Sequence, residues 1–80
     1  MITEMEVSPI SRCPTVGDRI FINDKGNMRA AVVEFAEDDQ RIEFFFEDDG
    51  SAWSLIAVLP HGFNPLIFTS RTAEQARAPK

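Results

Sequence analysis

The sequence predicts a mainly all-β domain: a strongly bent antiparallel sheet or small barrel of about five strands, closing in a short C-terminal helical turn or tail. Three observations carry this. Residues 16–60 fall into short apolar runs separated by tight polar turns. Ile42, Phe44 and Phe46 alternate with Glu43, Phe45 and Glu47, the period-two pattern of a strand with one face in a core. Asp49-Gly50 then supplies the dipeptide that a tight hairpin turn prefers. Turns this short leave no room for a parallel crossover of roughly a dozen residues, so the strands must pair antiparallel.

Taken in order, residues 1–15 form an extended lead-in. Ile2, Met5, Val7 and Ile10 follow no strict period, and Pro9 and Pro14 deny the segment a central strand position. The residues leave open whether it lies across a sheet edge or stays loose. Val16-Gly17-Asp18 introduces a first strand at 19–23, with Ile20 and Ile22 on one face. Residues 23–27 read as a turn by composition, a second strand follows at 28–35, and 37–40 is the next turn. The third strand spans 41–47 and the fourth 52–59, stopped by Pro60. Residues 61–65 read as a loop and 66–69 as a fifth strand. Residues 70–78 are rich in helix formers, with Ser70 and Thr72 as caps, but the segment is too short to hold a helix alone and carries no apolar stripe. The organisation is thus a lead-in over 1–15, the β domain over 16–69, and a short helix or disordered tail over 70–80. With so many bulky residues, a twisted sheet of this size is expected to curl into a barrel and so remove its edges.

Composition narrows the function. An 80-residue chain has a thin core, which seven Phe and one Trp reinforce. Thirteen Asp and Glu against eight Lys and Arg give a net charge of −5, which repels phosphate backbones and argues against nucleic acid as a partner. A basic protein or peptide, or a second copy of the chain, fits better. The single cysteine, Cys13, excludes an internal disulfide framework, and the acidic N-terminus lacks a signal-peptide layout. No apolar run approaches the roughly 20 residues that span a bilayer. A cytoplasmic protein without a membrane anchor is expected.

The residues carry a family resemblance. Val16-Gly17-Asp18, a turn ending in Gly26, Met28-Arg29-Ala30 with Val32, Phe46-x-Asp48-x-Gly50 and Leu59-Pro60 together resemble the layout of Tudor domains. Tudor domains are SH3-like barrels, so the resemblance, which covers about half of the chain, implies an SH3-like barrel over 16–69. It also implies recognition of methylated lysine or arginine by a cage of aromatic rings. The cage positions depart from that pattern: Met28 and Asp49 stand where rings are usual, and the first-strand position falls near Ile22 or Asn23. A cage attracts a desolvated cation through the ring quadrupole, so a methyl-lysine or methyl-arginine reader would need a non-standard cage, drawn from Phe21, Phe45 and Trp53. Gly17-Asp18-Arg19 also resembles the opening strand of the plasmid-borne dihydrofolate reductases, SH3-like barrels that work as tetramers. That likeness implies a small oligomeric enzyme or enzyme subunit with its site on a symmetry axis. Their Val-Gln-Ile-Tyr motif is missing here, and the chain has no Tyr.

Single residues add little chemistry. Trp53, the largest side chain, is read first as core or inter-sheet packing and second as a ligand-stacking surface or an oligomer contact. The acidic clusters Glu34, Glu37, Asp38, Asp39 and Glu47, Asp48, Asp49 sit in or beside turns, where Asp bonds the local backbone. Neither has the alternating oxygen spacing of a calcium loop. Cys13 and His61 are far apart, lack a third orienting residue, and fall short of a zinc site. No cofactor is implied. The continuous apolarity of Phe44-Phe45-Phe46 and of residues 55–59 breaks strict alternation, which places Phe45, Ile56 and Val58, or with the register reversed their neighbours, on an outer face to be covered by the lead-in, by residues 66–68 or by a second molecule. The reading is therefore a non-enzymatic interaction module. Asp38, Asp39, Asp48 and Asp49 supply attraction to a basic partner, Trp53, Phe45 and Ile56 supply apolar contact, and self-association is open through the same sheet face.

Overall fold

Lys25 and Gly26 both adopt left-handed backbone angles, φ 54° and 91°. Two such residues in succession make the type I′ turn, whose twist matches that of paired strands. The computed structural model describes residues 6–37 and 40–70. Its strands, in chain order, are β1 (Val7–Pro9), β2 (Arg19–Asp24), β3 (Asn27–Ala36), β4 (Arg41–Phe46), β5 (Ala52–Ile56), β6 (Val58–Leu59), β7 (Gly62–Phe63) and β8 (Ile67–Ser70). Every pairing among them is antiparallel. Because the β2–β3 turn needs only its two central residues, pairing runs on to Asp24 and Asn27 rather than stopping at Asn23. The Asn23 side chain closes the turn by accepting the Gly26 N–H at 2.9 Å.

The β4–β5 hairpin is built differently from what Asp49-Gly50 implies. Four residues, 47–50, connect its last bonded pair, in which the Phe46 N–H donates to the Ser51 carbonyl at 2.9 Å. The Gly50 N–H donates to the Phe46 carbonyl at 2.8 Å, a single helical turn, and Gly50 takes the left-handed angle that ends it (φ 75°). This wider loop presents Asp48 and Asp49 side by side.

The sheet order is β1-β8-β2-β3-β4-β5, with β6-β7 as a separate pair. The expected closed barrel is not formed: β1 and β5 are opposite ends of an open sheet. The reason lies at Ala57. Its N–H donates to the Gln40 carbonyl at 2.8 Å, ending the β4–β5 ladder, and the chain then turns away into the small β6–β7 hairpin instead of continuing along one long strand. The lead-in does join the sheet, as β1, beside β8. Pro9, which offers no N–H, is tolerated there because β1 is an edge. The expected helical tail beyond Ser70 lies outside the described residues, as do Asp38 and Asp39.

Register assigns the faces. Ile20 opposes Ala31, which opposes Phe46; Val33 opposes Phe44; Ile22 opposes Ile67. These side chains share the inner face with Ile42 and Ala57, and all are buried. Phe44 and Phe46 meet edge to face, with ring centroids 5.4 Å apart. Gly17 and Asp18 clasp β3: the Gly17 N–H donates to the Val33 carbonyl and the Val33 N–H to the Asp18 carbonyl, both at 2.9 Å. Just beyond, the register slips between Val33 and Phe35, leaving Glu34 as an extra residue. Without that bulge Phe35 would point inward; with it, Phe35 opposes Glu43 on the outer face and stands 45% exposed.

Two stability outcomes follow. Phe44→Ala, at a side chain 1% exposed, should cost about 3–5 kcal/mol by urea unfolding, and Phe45→Ala clearly less. Equal costs would contradict the assignment of faces. Lys25→Asn, which suits a left-handed position, should raise stability by about 0.5–1 kcal/mol in the same assay.

Candidate functional site

The inner face is not fully covered. Toward the β4–β5 hairpin it opens into a cleft of about 210 Å³, lined by side chains of β2, β3, β4, β5 and the segment before β8. Ile22, Phe44, Leu55 and Leu66 form its apolar part. Arg29 projects into it because Ile22, its cross-strand partner, faces inward.

Arg29 is held on all sides. Its guanidinium carbon lies 3.7 Å from the centroid of the Phe46 ring. Nε and Nη2 donate to the two oxygens of Asp48 at 3.1 and 2.9 Å, a bidentate pair. Nη1 donates to Asp24 at 3.0 Å, and Nη2 reaches Asp49 at 3.3 Å. Three carboxylates thus surround one guanidinium, and the cluster keeps two net negative charges.

Both hairpin carboxyls ionise more readily than an ordinary Asp. For Asp48 the chief cause is the Arg29 hydrogen bond. For Asp49 it is the Ser51 backbone N–H, reinforced by the Ser51 hydroxyl. The hydroxyl donates to Asp49 at 2.7 Å and accepts the Trp53 indole N–H at 3.2 Å. A continuous chain of bonds therefore runs from Arg29 through Asp49 and Ser51 to Trp53.

Trp53 departs from its expected place in the core: it is 61% exposed. It opposes Phe44 from the outermost strand, and among the described residues no further strand pairs beyond it. Its indole forms one lip of the cleft. The structure brings Trp53 together with Asp48 and Asp49, and separates it from Phe45 and Ile56. Phe45 opposes Val32 and Ala52, and Ile56 opposes Arg41, all on the outer face. There Phe45 is half-buried and Ile56 39% exposed.

The outer face has a cavity of its own, about 380 Å³, lined by Val7, Phe21, Met28 and Ala30. Phe21 is buried yet stands apart from the core cluster, with the Arg19 guanidinium 5.3 Å above its ring. Arg19 pairs there with Glu47, and Arg41 with Glu37 and Glu43, so these cations do not gather with Arg29 on one face. Cys13 packs against the core, where burial pushes its thiol up, and His61 is exposed in the β6–β7 turn. Among the described residues, no group of His, Cys, Asp and Glu is arranged to hold a metal ion, and no helix is long and apolar enough to cross a membrane.

Arg29, Asp24, Phe46 and Ser51 are the site residues that sequence reasoning misses. A lone Arg within the apolar β3 run was the one available signal; its carboxylate partners become neighbours only through the register.

The carboxyl shifts set a pH dependence. A carboxyl whose pKa is lower in the fold than in the unfolded chain stabilises fully above the unfolded value, about 4 for Asp, and loses that contribution as pH falls through the folded value. Urea midpoints should therefore drop as pH is lowered from about neutral to about 2, and drop less steeply in Asp48→Asn, which has lost the pair at every pH. Parallel pH profiles for the two proteins would contradict the ion-pair geometry.

The chain matches no protein-family model, no curated protein and no solved structure.

Proposed function

We propose that this chain is a non-enzymatic interaction module whose cleft takes a basic side chain of a protein or peptide partner. The observation that carries this is the exposed Trp53 indole, fixed by its N–H bond to Ser51 at the lip of a cleft lined by Asp24 and by Arg29, whose guanidinium also holds Asp48 and Asp49. An exposed aromatic ring already held in place loses little freedom on binding. A lysine or arginine stacked on it would gain the cation–ring attraction and lie beside Asp49. The Tudor-like resemblance extends, under this reading, to the pairing of rings with acidic groups for a cation, though at other positions. The ring face of Phe46 is taken by Arg29, which leaves Trp53 as the surface for the ligand.

A second reading is favoured by a separate observation. The outer face carries an apolar cavity, with Met28 42% and Phe35 45% exposed. Large apolar side chains gathered on one face mark contact surfaces, so self-association would use this side and leave the cleft free.

Buried aromatic contact carries most of the affinity in such complexes, and rim charges mainly guide approach. Titrating the protein with short Arg- and Lys-containing peptides should change Trp53 emission. Trp53→Ala should weaken binding by about ten-fold or more, and Asp49→Asn by about two- to threefold, an effect that fades at high salt. Equal losses for the two variants would overturn this division of roles. Because Trp53 is exposed, the thermal midpoint of Trp53→Ala should stay close to that of the parent.

A further inference from the structure

We propose that the free edge of β5 is a docking edge, to which an extended basic peptide adds as a further strand of the sheet. The proposal rests on the reading of the cleft just given and specifies how the partner is held.

The ladder between β4 and β5 fixes which backbone groups face outward. Phe46 with Ser51 and Gln40 with Ala57 are hydrogen-bonded partners at the two ends of this ladder. Antiparallel pairs alternate between bonded and non-bonded. The unbroken register between those ends assigns Phe44–Trp53 and Ile42–Leu55 to the bonded class. Trp53 and Leu55 therefore spend their backbone groups on β4, and Ala52, Ser54 and Ile56 turn theirs away from it. Among the described residues β5 pairs with β4 alone, and Ala52, Trp53, Ser54 and Ile56 are all exposed. The Ile56 carbonyl is already capped by the Asn64 side-chain amide at 2.9 Å, which marks the end of the open stretch.

The two edges of the sheet differ. β1 is three residues long and ends in Pro9, both devices that discourage a further strand. β5 reads Ala-Trp-Ser-Leu-Ile, with no charge and no proline to block one. Its edge also borders the cleft. Residues of an added strand opposite Trp53 and Leu55 fall on the cleft side, and the residue opposite Ser54 falls on the other. A basic residue opposite Trp53 then lies on the side of the sheet that carries the indole and, bonded to it through Ser51, the Asp49 carboxylate.

Charge selects the occupant. Pairing β5 with β5 of a second copy would set two clefts side by side, each with two uncompensated negative charges, in chains that carry −5 apiece. A cationic peptide meets attraction at the same place.

The test uses the intact chain and end-blocked hexapeptides of alternating Arg and Val. With Arg on the cleft side, the Val N–H groups bond to β5 and the Arg N–H groups point away. N-methylating the Val nitrogens should weaken binding about ten-fold or more relative to the isomer N-methylated at Arg, an isomer of equal composition. The unmethylated peptide should also slow amide exchange at Ala52 and Ser54 by about ten-fold or more. Equal binding of the two isomers, with Trp53 emission still responding, overturns strand addition and leaves the cleft reading in place. No response of Trp53 to any of these peptides overturns both. A slow Ser54 amide in the peptide-free protein, together with a dimer by sedimentation, assigns the edge to a second copy and overturns the proposal.

Discussion

Phe46 is the side chain on which core and cleft both depend. One part of its ring meets Phe44 edge to face, tying it to the buried cluster, and one face carries the Arg29 guanidinium. A charged group at the floor of a thin core is costly unless it is paired and supported. Here the aromatic face supports it from below, and Asp24, Asp48 and Asp49 satisfy its donors around the rim. The arrangement converts an otherwise apolar depression into an acidic one, since the carboxylates gathered to hold a single cation outnumber it. The surface chemistry of the cleft is in this sense a by-product of how the core ends.

Much of the sheet was legible in the sequence. The alternation over residues 41–47 gives β4 and its inward side correctly, and Gly26 with its neighbours marks the β2–β3 turn. What period-two reasoning could not see were interruptions of the period. The bulge at Glu34 turns Phe35 outward although its spacing from Val33 reads as inward. The break at Ala57 divides one expected strand into two, with β6 paired to β7. Both depend on contacts made by residues distant in the chain, the Gly17–Asp18 clasp on Val33 and the Gln40–Ala57 bond, so no local window contains them.

Trp53 shows the same limit for the site. Size and apolarity argue for burial, yet burial also needs something on the far side, and β5 is the last strand of an open sheet. A closed barrel would have given it a neighbour. The misplacement of Trp53 and the expectation of closure are therefore one misreading, not two. Asp48 and Asp49 were legible as turn residues, which they are; their second role needed Arg29 brought across from β3 by strand pairing.

β2 buries three successive side chains, Ile20, Phe21 and Ile22, at 1%, 3% and 6% exposure. A strand that is greasy on both sides gives the hydrophobic effect little to choose with, because sliding it by one position swaps one well-covered surface for another. Correct alignment must come from groups that tolerate only one partner: the left-handed Lys25-Gly26 corner, the fork of Arg29 between Asp24 and Asp48, and the backbone clasp of Gly17 and Asp18 on Val33. In this small protein apolar matter supplies the cohesion and polar matter supplies the address. Damage to the polar fixtures accordingly endangers the choice of structure, through mispaired frames and slow refolding, more than it endangers the strength of any one packed state.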